Sequence, residues 1–519
     1  MKMKSMKRMI GLVLSLPTLG LGSASSALVA NEWVPQRSYS VRNDVAAPLR
    51  NAEAVPAYKF RQIRRVIPLL RGARPAVVPG QTDPVVQRTP GPLVNATIGL
   101  NFDGQASTGV APPDTNGAAG AIQYVQWVNS VFNVYDRVTG VKIVGPINGN
   151  RFWSGFGGDC ETHNDGDPII KYDQLANRWV ATQFALNFGA NIFSQCVAVS
   201  QTPDALGSYN RYQFNFGNKG PDYPKLGVWP DAYYLTSRTF LNFIFFQGPQ
   251  VCAMDRAAML VGAPALIDCF QGPATIDFVL PGDLDGTTLP PAGSPNYMMT
   301  ATGVAANTLG MIKFFADFVG TPHVSVASIP VAAYTPGPDF IPQPSPGELL
   351  DGFGGVLLYR LPYRNFGDHQ SIVATHSVDK GGGVAGIRWY EIRTPNTPTV
   401  FQQGTFQGGS IDLWMPSIAM DKMGNIAVGF SGSSTTVRPS LGFTGRMPAD
   451  PLGTMESPAL IVAGTGVQQN TSNRWGDYAS MVPDPNDDCT FWFTSEYIKT
   501  TGSFNWSTRI ANFKFNNCQ

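Results

Sequence analysis

Gln123-Tyr-Val-Gln-Trp-Val-Asn129 is a short run of aromatic, β-branched and small polar residues closed by a turn former, and the chain returns to it six more times. The further copies are Arg178-Trp-Val-Ala-Thr-Gln-Phe184, Asp231-Ala-Tyr-Tyr-Leu-Thr-Ser237, Asn296-Tyr-Met-Met-Thr-Ala301, Gln370-Ser-Ile-Val-Ala-Thr-His376, Asn425-Ile-Ala-Val-Gly-Phe-Ser431 and Thr490-Phe-Trp-Phe-Thr-Ser-Glu496. A second strand-like run follows most copies, as in Val131-Phe-Asn-Val-Tyr-Asp136 and Arg509-Ile-Ala-Asn-Phe-Lys514. A more apolar run precedes several, as in Gly166-Asp-Pro-Ile-Ile-Lys-Tyr-Asp173 and Met415-Pro-Ser-Ile-Ala-Met-Asp421. Val, Ile, Tyr, Phe, Trp and Thr in short runs bounded by Gly, Asp, Asn and Pro are β signals. Short antiparallel strands recurring every 50 to 75 residues or so predict a β-propeller.

Seven units predict one all-β domain over residues 95–519, a single propeller of seven four-stranded blades. The last unit supplies only three strands before Gln519, and an unpaired blade edge is an aggregation hazard. Ala96-Thr-Ile-Gly-Leu-Asn-Phe102 is strand-like and precedes the first full unit, so it is expected to complete the last blade. The competing arrangement is a pair of β-sandwich domains built from similar short strands.

Composition agrees with many short elements and tight turns: of 519 residues 55 are Gly and 42 Pro, while only 14% are charged. A net charge of +1 gives no general attraction to nucleic acid or to anionic lipid. Lys2, Lys4, Lys7 and Arg8, an apolar run from Met9 to about Leu21, and the small residues up to Ala27 form the three parts of a secretory signal peptide, residues 1–27. Its removal leaves a charge of −3 and no stretch approaching the roughly 20 apolar residues needed to span a membrane. The mature protein is therefore expected to be secreted or periplasmic, and a monomer. Residues 28–94 are rich in Pro and Ala and hold ten Lys or Arg against four acids. They read as a poorly ordered basic leader, a solvated linker or a segment that binds the acidic body.

All six cysteines lie in the exported part, and an even count there predicts disulfides. In the last blade the hairpin pairs residues whose numbers total about 1005, which puts Cys489 opposite Cys518. Cys252 and Cys269 flank a hairpin centred near Val261. Cys160 and Cys196 remain, without clearly adjacent strands.

In a propeller the innermost strands begin around one mouth of the central channel. The entrances read from this chain hold Asp114, His163, Asp165, Asp167, Asp222 with Lys225, Asp368 with His369, Trp414, and Arg474-Trp475-Gly476-Asp477. Trp faces stack on apolar ring surfaces and charged groups fix orientation, so Asp114, His163, Asp222, Lys225, His369, Trp414, Arg474 and Trp475 are read as a site for an extracellular glycan or protein. The plainer reading gives each Asp to the amides of its own turn. The alternative function is glycoside hydrolysis or another action on polysaccharide, with Asp165, Asp167, Asp368 and Asp477 as candidate carboxylates. No cofactor is expected. Calcium is the best-fitting metal, at Asp484-Pro-Asn-Asp-Asp488, but Cys489 stands where the turn glycine belongs and Ser495 where the bidentate Glu belongs, so an ordinary hairpin turn is the better account. No Gly-x-Ser-x-Gly elbow, P-loop or dinucleotide fingerprint occurs.

The motifs Pro112-Pro-Asp-Thr-Asn-Gly117, Asn164-Asp-Gly-Asp-Pro168, Tyr223-Pro-Lys-Leu-Gly-Val-Trp-Pro-Asp231 and Arg474-Trp-Gly-Asp-Tyr478 resemble those of a group of secreted bacterial β-propeller proteins of uncharacterised reaction, loosely similar to the sialidase-like propellers. The resemblance covers residues 95–518 and implies the fold and export. Sialidases usually carry Ser-x-Asp-x-Gly-x-Thr-Trp boxes, whereas Ser377-Val-Asp-Lys-Gly381 here lacks the Thr-Trp ending.

Overall fold

The computed structural model describes residues 33–54, 64–67, 70, 82–393 and 397–519; the signal peptide read at residues 1–27 lies outside them. The seven repeats form seven small antiparallel sheets arranged as propeller blades. Blade 1 runs outward from Thr115–Ala119 through Gln123–Val128 and Val131–Asp136 to Lys142–Asn148. The innermost strands of blades 2, 3, 5, 6 and 7 are Ile169–Asp173, Lys219–Val228, Leu361–Asn365, Asp412–Met420 and Ser480–Pro483. Blade 4 is the thinnest, with Asn296–Thr300, Thr308–Phe315 and His323–Pro330, and Leu280 bridging to Met299 on its inner side. Both faces of each blade are covered by its neighbours, so the inner strands are buried along nearly their whole length, charged residues such as Lys171 and Lys225 included. Tyr124 of blade 1 stacks on Trp492 of blade 7 at 4.8 Å, and Phe443 of blade 6 on Phe513 of blade 7 at 3.7 Å.

The ring closes as the sequence predicts. Ala96–Ala106 pairs antiparallel with Trp506–Phe515 and completes blade 7. In that blade Thr490 faces Lys514, one step from the expected register, and Cys489 is bonded to Cys518. Cys252 and Cys269 face each other across blade 3 and are bonded as expected. Cys160 is bonded to Cys196. It sits on the four-residue helix Asp159–Thr162 and not on a strand, so no strand register leads to this pair. Three intact disulfides suit an oxidising compartment. No helix among the described residues is long and apolar enough to cross a membrane.

Of the readings of the leader, its described parts fit a segment that binds the body and not a solvated linker: they dock on the propeller. Val34–Tyr39 adds a fifth strand to blade 3, against Leu266–Gln271, and Arg42–Val45 adds one to blade 2, against Tyr209–Asn215. Val86 bridges to Thr405 on blade 5 and Leu93 to Ser457 on blade 6. Ion pairs Arg37 to Asp268, Asp44 to Arg211 and Asp83 to Arg388 fix the belt, and Trp33 and Leu49 are buried against the blades. Pairing of this kind needs only free main-chain groups on an outer edge, and the side chains of Val34–Tyr39 all remain exposed.

Candidate functional site

Inner strands run from the mouth toward the far face. A backbone kink lies in or before the inner strand of six blades: Asp114, Asp167, Tyr223, Phe278, Phe353 and Met415 all adopt φ between 45° and 52°, in blades 1 to 6 in turn, with Tyr223 and Met415 inside their strands. A left-handed residue is costly unless the surroundings enforce it, and repeating it at six blades turns six side chains inward at one level. Tyr223-Pro224-Lys225 and Met415-Pro416-Ser417 each carry a bulge at this point.

The result is an aromatic plug ringed by charge. Tyr223, Phe278 and Phe353 meet with centroids 5.1 to 5.9 Å apart, and Tyr478 packs edge-on to Tyr223 at 5.9 Å. The fully buried Lys225 holds its ammonium 3.4 Å from the Tyr223 ring centroid and 3.9 Å from that of Tyr478, and donates to the Pro224 carbonyl at 3.0 Å. Burial pulls its pKa down to about 8, against the opposing charges of Asp167, Asp114, Asp477 and Asp222 around it.

Those carboxylates are held by the fold. Asp114 accepts from the Asp477 amide at 2.9 Å and from the Asn129 side chain at 2.8 Å. Asp167 accepts from the Tyr223 amide at 3.0 Å. Arg238 binds Asp222 at 2.9 Å and forks onto Asp277 at 2.8 and 2.9 Å. Arg474 forks onto Asp477 at 2.7 and 2.9 Å and reaches Asp351 at 2.7 Å. Six carboxylates thus face three cations, and burial with mutual repulsion raises Asp114, Asp167, Asp222 and Asp351. Asp167 is pushed up to about 7 by burial and by Asp222, Asp351 to about 6 chiefly by burial, and Asp114 lies well above the usual range through burial and the charges of Asp477 and Asp167.

The mouth thereby gathers Asp114, Asp167, Asp222, Lys225, Arg474 and Asp477. His163 and Asp165 lie on the same face, 3.3 Å apart, with Asp165 accepting from the Leu186 amide at 2.7 Å. Burial raises Asp165, and His163 and Arg65 of the leader oppose it. Asp368 and His369 do not belong here. They form the turn after Leu361–Asn365, the exit of the inner strand, and lie on the opposite face, paired with each other at 2.7 Å. Trp414 and Trp475 are at the mouth but buried, 5.5 Å apart beneath the surface. All ten tryptophans are buried, so no indole face is offered to a sugar ring. Asp277 and Asp351 join the site without having stood out in the sequence, and Arg238, Tyr223 and Tyr478 join them there. The shared Xaa-Pro step at Asp167, Tyr223 and Met415 is the signal that marks the kinked level.

Farther along the inner strands Lys171, Asp283, Arg360 and Asp285 form a buried chain of ion pairs. In the loop weighed for calcium, Asp484 is taken by Arg137 and by the Trp492 indole, Asp487 by its own turn, and Asp488 by Arg364. Among the described residues no group of three or more His, Cys, Asp or Glu is placed to hold a metal ion. Beside the mouth, between blades 7 and 1, an open groove of about 770 Å³ is lined by polar groups including Gln105, Ser107, Lys142, Thr500, Ser503 and Asn505.

No family model matches the chain, and no curated protein matches it. Among solved structures it is similar to an exo-β-1,3-galactanase from Clostridium thermocellum, at 12% identity and a TM-score of 0.30, over 78% of this chain and 82% of that one. A thermostable family-43 glycoside hydrolase aligns at 13% identity and a TM-score of 0.23, over 58% of this chain and 92% of that one. A polysaccharide lyase, an ulvan lyase bound to a GlcA and sulfated rhamnose unit, aligns at 10% identity and a TM-score of 0.26, over 81% of this chain and 84% of that one.

Proposed function

We propose that this propeller is a secreted or periplasmic protein that binds an extracellular ligand, a glycan or a protein, at the mouth and along the adjoining groove. One observation carries the reading. The mouth carboxylates are engaged inside the fold, while the groove of about 770 Å³ beside them is open and lined by amides, hydroxyls, Arg64 and Lys142 together with the apolar Pro146 and Phe504. Such groups suit a polar ligand held by many modest hydrogen bonds. Screening the purified chain on glycan and extracellular-protein arrays tests it. Binding that Lys142→Glu or Asn505→Ala weakens supports the groove, and binding indifferent to both, or no binding, refutes it.

A second reading, action on polysaccharide, rests on Asp167. A carboxyl pushed up to about 7 is poised as a general acid is, with Asp477 on the same face as a second carboxylate. Turnover of glycosides or polysaccharides that is lost in Asp167→Asn and in Asp477→Asn would establish this reading in place of binding alone.

A further inference from the structure

Residues 64–67 of the leader lie on the mouth. Arg65–Val66 pairs in parallel with Val110–Ala111, a two-residue strand just before the Asp114 kink. The Arg65 amide donates to the Gly109 carbonyl at 2.9 Å and the Ile67 amide to the Ala111 carbonyl at 2.7 Å. Arg474, already holding Asp351 and Asp477, donates Nε–H to the Ile67 carbonyl at 2.7 Å. Arg65 is exposed, and its charge acts on Asp165 across the mouth. Arg64 lines the polar groove. The mouth thus holds an extended main chain by two amides and a carbonyl and sets an acid against its basic side chain.

We infer that residues 109–111, Arg474 and Asp165 form a docking site for an extended peptide strand with a basic side chain, and that residues 64–67 are its tethered occupant. The inference rests on the ligand-binding reading and gives it a ligand class. Adding a strand to a free edge supplies affinity through main-chain bonds and selectivity through alternate side chains. The charge of Arg65 favours the ionised form of Asp165, so a basic side chain is preferred at this position. The leader's hold here is slight compared with its six-residue pairing on blade 3, so this part of the belt is the one that exchanges. An untethered peptide competes with a copy held at an effective concentration in the millimolar range, and the covered mouth therefore binds it poorly.

A fluorescein-labelled peptide of residues 62–70, Gln62-Ile-Arg-Arg-Val-Ile-Pro-Leu-Leu70, is titrated by anisotropy against the unaltered chain and against a chain carrying Arg64→Gly, Arg65→Ser, Val66→Gly and Ile67→Ser. The exposed single variant Arg65→Glu gives a second comparison that leaves the fold unburdened. Both variants are expected to bind at least about tenfold more tightly than the unaltered chain. N-methylation of the peptide at Arg65 or Ile67 should weaken binding about tenfold, the worth of one main-chain hydrogen bond. Methylation at Val66, whose N–H alternates to the other side, should not. Equal binding to all three chains, no binding to any, or a flat methylation profile overturns the inference. If array ligands still bind the groove while the peptide does not, the peptide site alone falls; if neither binds, the ligand-binding reading falls with it.

Discussion

Glu496 gives the sharpest test of how the centre of the ring is built. It lies fully buried in the second strand of blade 7, Thr490–Ile498, accepting from the Gly476 amide at 2.7 Å and from the hydroxyls of Thr115 and Ser495, each at 3.2 Å. Burial pushes its pKa from 4.5 to about 7. Below about pH 4.5 folded and unfolded chains are both protonated at this group. Between about 4.5 and 7 the folded chain binds the extra proton, so stability falls as pH rises; above 7 the whole cost is present. A shift of that size corresponds to on the order of 3 kcal/mol. With an unfolding entropy of about 2 cal/mol/K per residue, a chain of this length converts it to roughly 3 °C in Tm. Glu496→Gln keeps the carbonyl acceptor for Gly476 and removes the charge. Scanning calorimetry at pH 5 and pH 8 should therefore show the variant gaining about 3 °C on the unaltered chain between the two conditions. An identical difference at both pH values would refute a raised Glu496 and the dry, charge-poor junction it implies.

Three further outcomes follow from the packing. Gly227→Ala would place a methyl 2.3 Å from the main-chain oxygen of Gly282, which cannot swing aside, so a loss of roughly 1–3 kcal/mol is expected in chemical denaturation. Removing residues 1–54 should leave a folded chain of lowered Tm, since it uncovers the outer edges of blades 2 and 3, whereas removing residues 1–106 should give aggregates by light scattering, because blade 7 loses its closing strand. Replacing Cys489 and Cys518 together by Ser should cost roughly 2–4 kcal/mol, and non-reducing peptide mapping of the unaltered chain should recover only the three bonds described.

The blades were legible because strand and turn residues alternate in short runs, and because a missing fourth strand in the last unit demands a partner elsewhere, which Ala96–Phe102 supplies by composition. Two disulfides followed from hairpin arithmetic. The third did not, since Cys160 sits on one helical turn. The belt left no trace in the sequence: Val34–Tyr39 contributes main-chain bonds with every side chain exposed, so no alternation marks it. Of the site, the Asp, Lys and Arg at the kinked strand starts were readable from their turns. His369 was placed on the wrong face because a turn at either end of an inner strand has the same polar composition. Arg238 and Asp277 pair from different blade segments, and only the fold brings them together.

The closing strand also sets the order in which the molecule can form. Thr97 bonds to Asn516 across 419 positions of chain, while six blades take their core strands from contiguous sequence. Those six are free to assemble as each segment becomes available. The seventh waits for Phe515 to meet Ala96. Joining ends that far apart costs only about 5 kcal/mol of loop entropy, since the penalty grows with the logarithm of length, but contacts so distant slow the search. Completion of the seventh blade is thus expected to come late, when Trp506–Phe515 meets Ala96–Ala106, and a chain released before that strand would leave the outer edge of Thr490–Ile498 unpaired and adhesive.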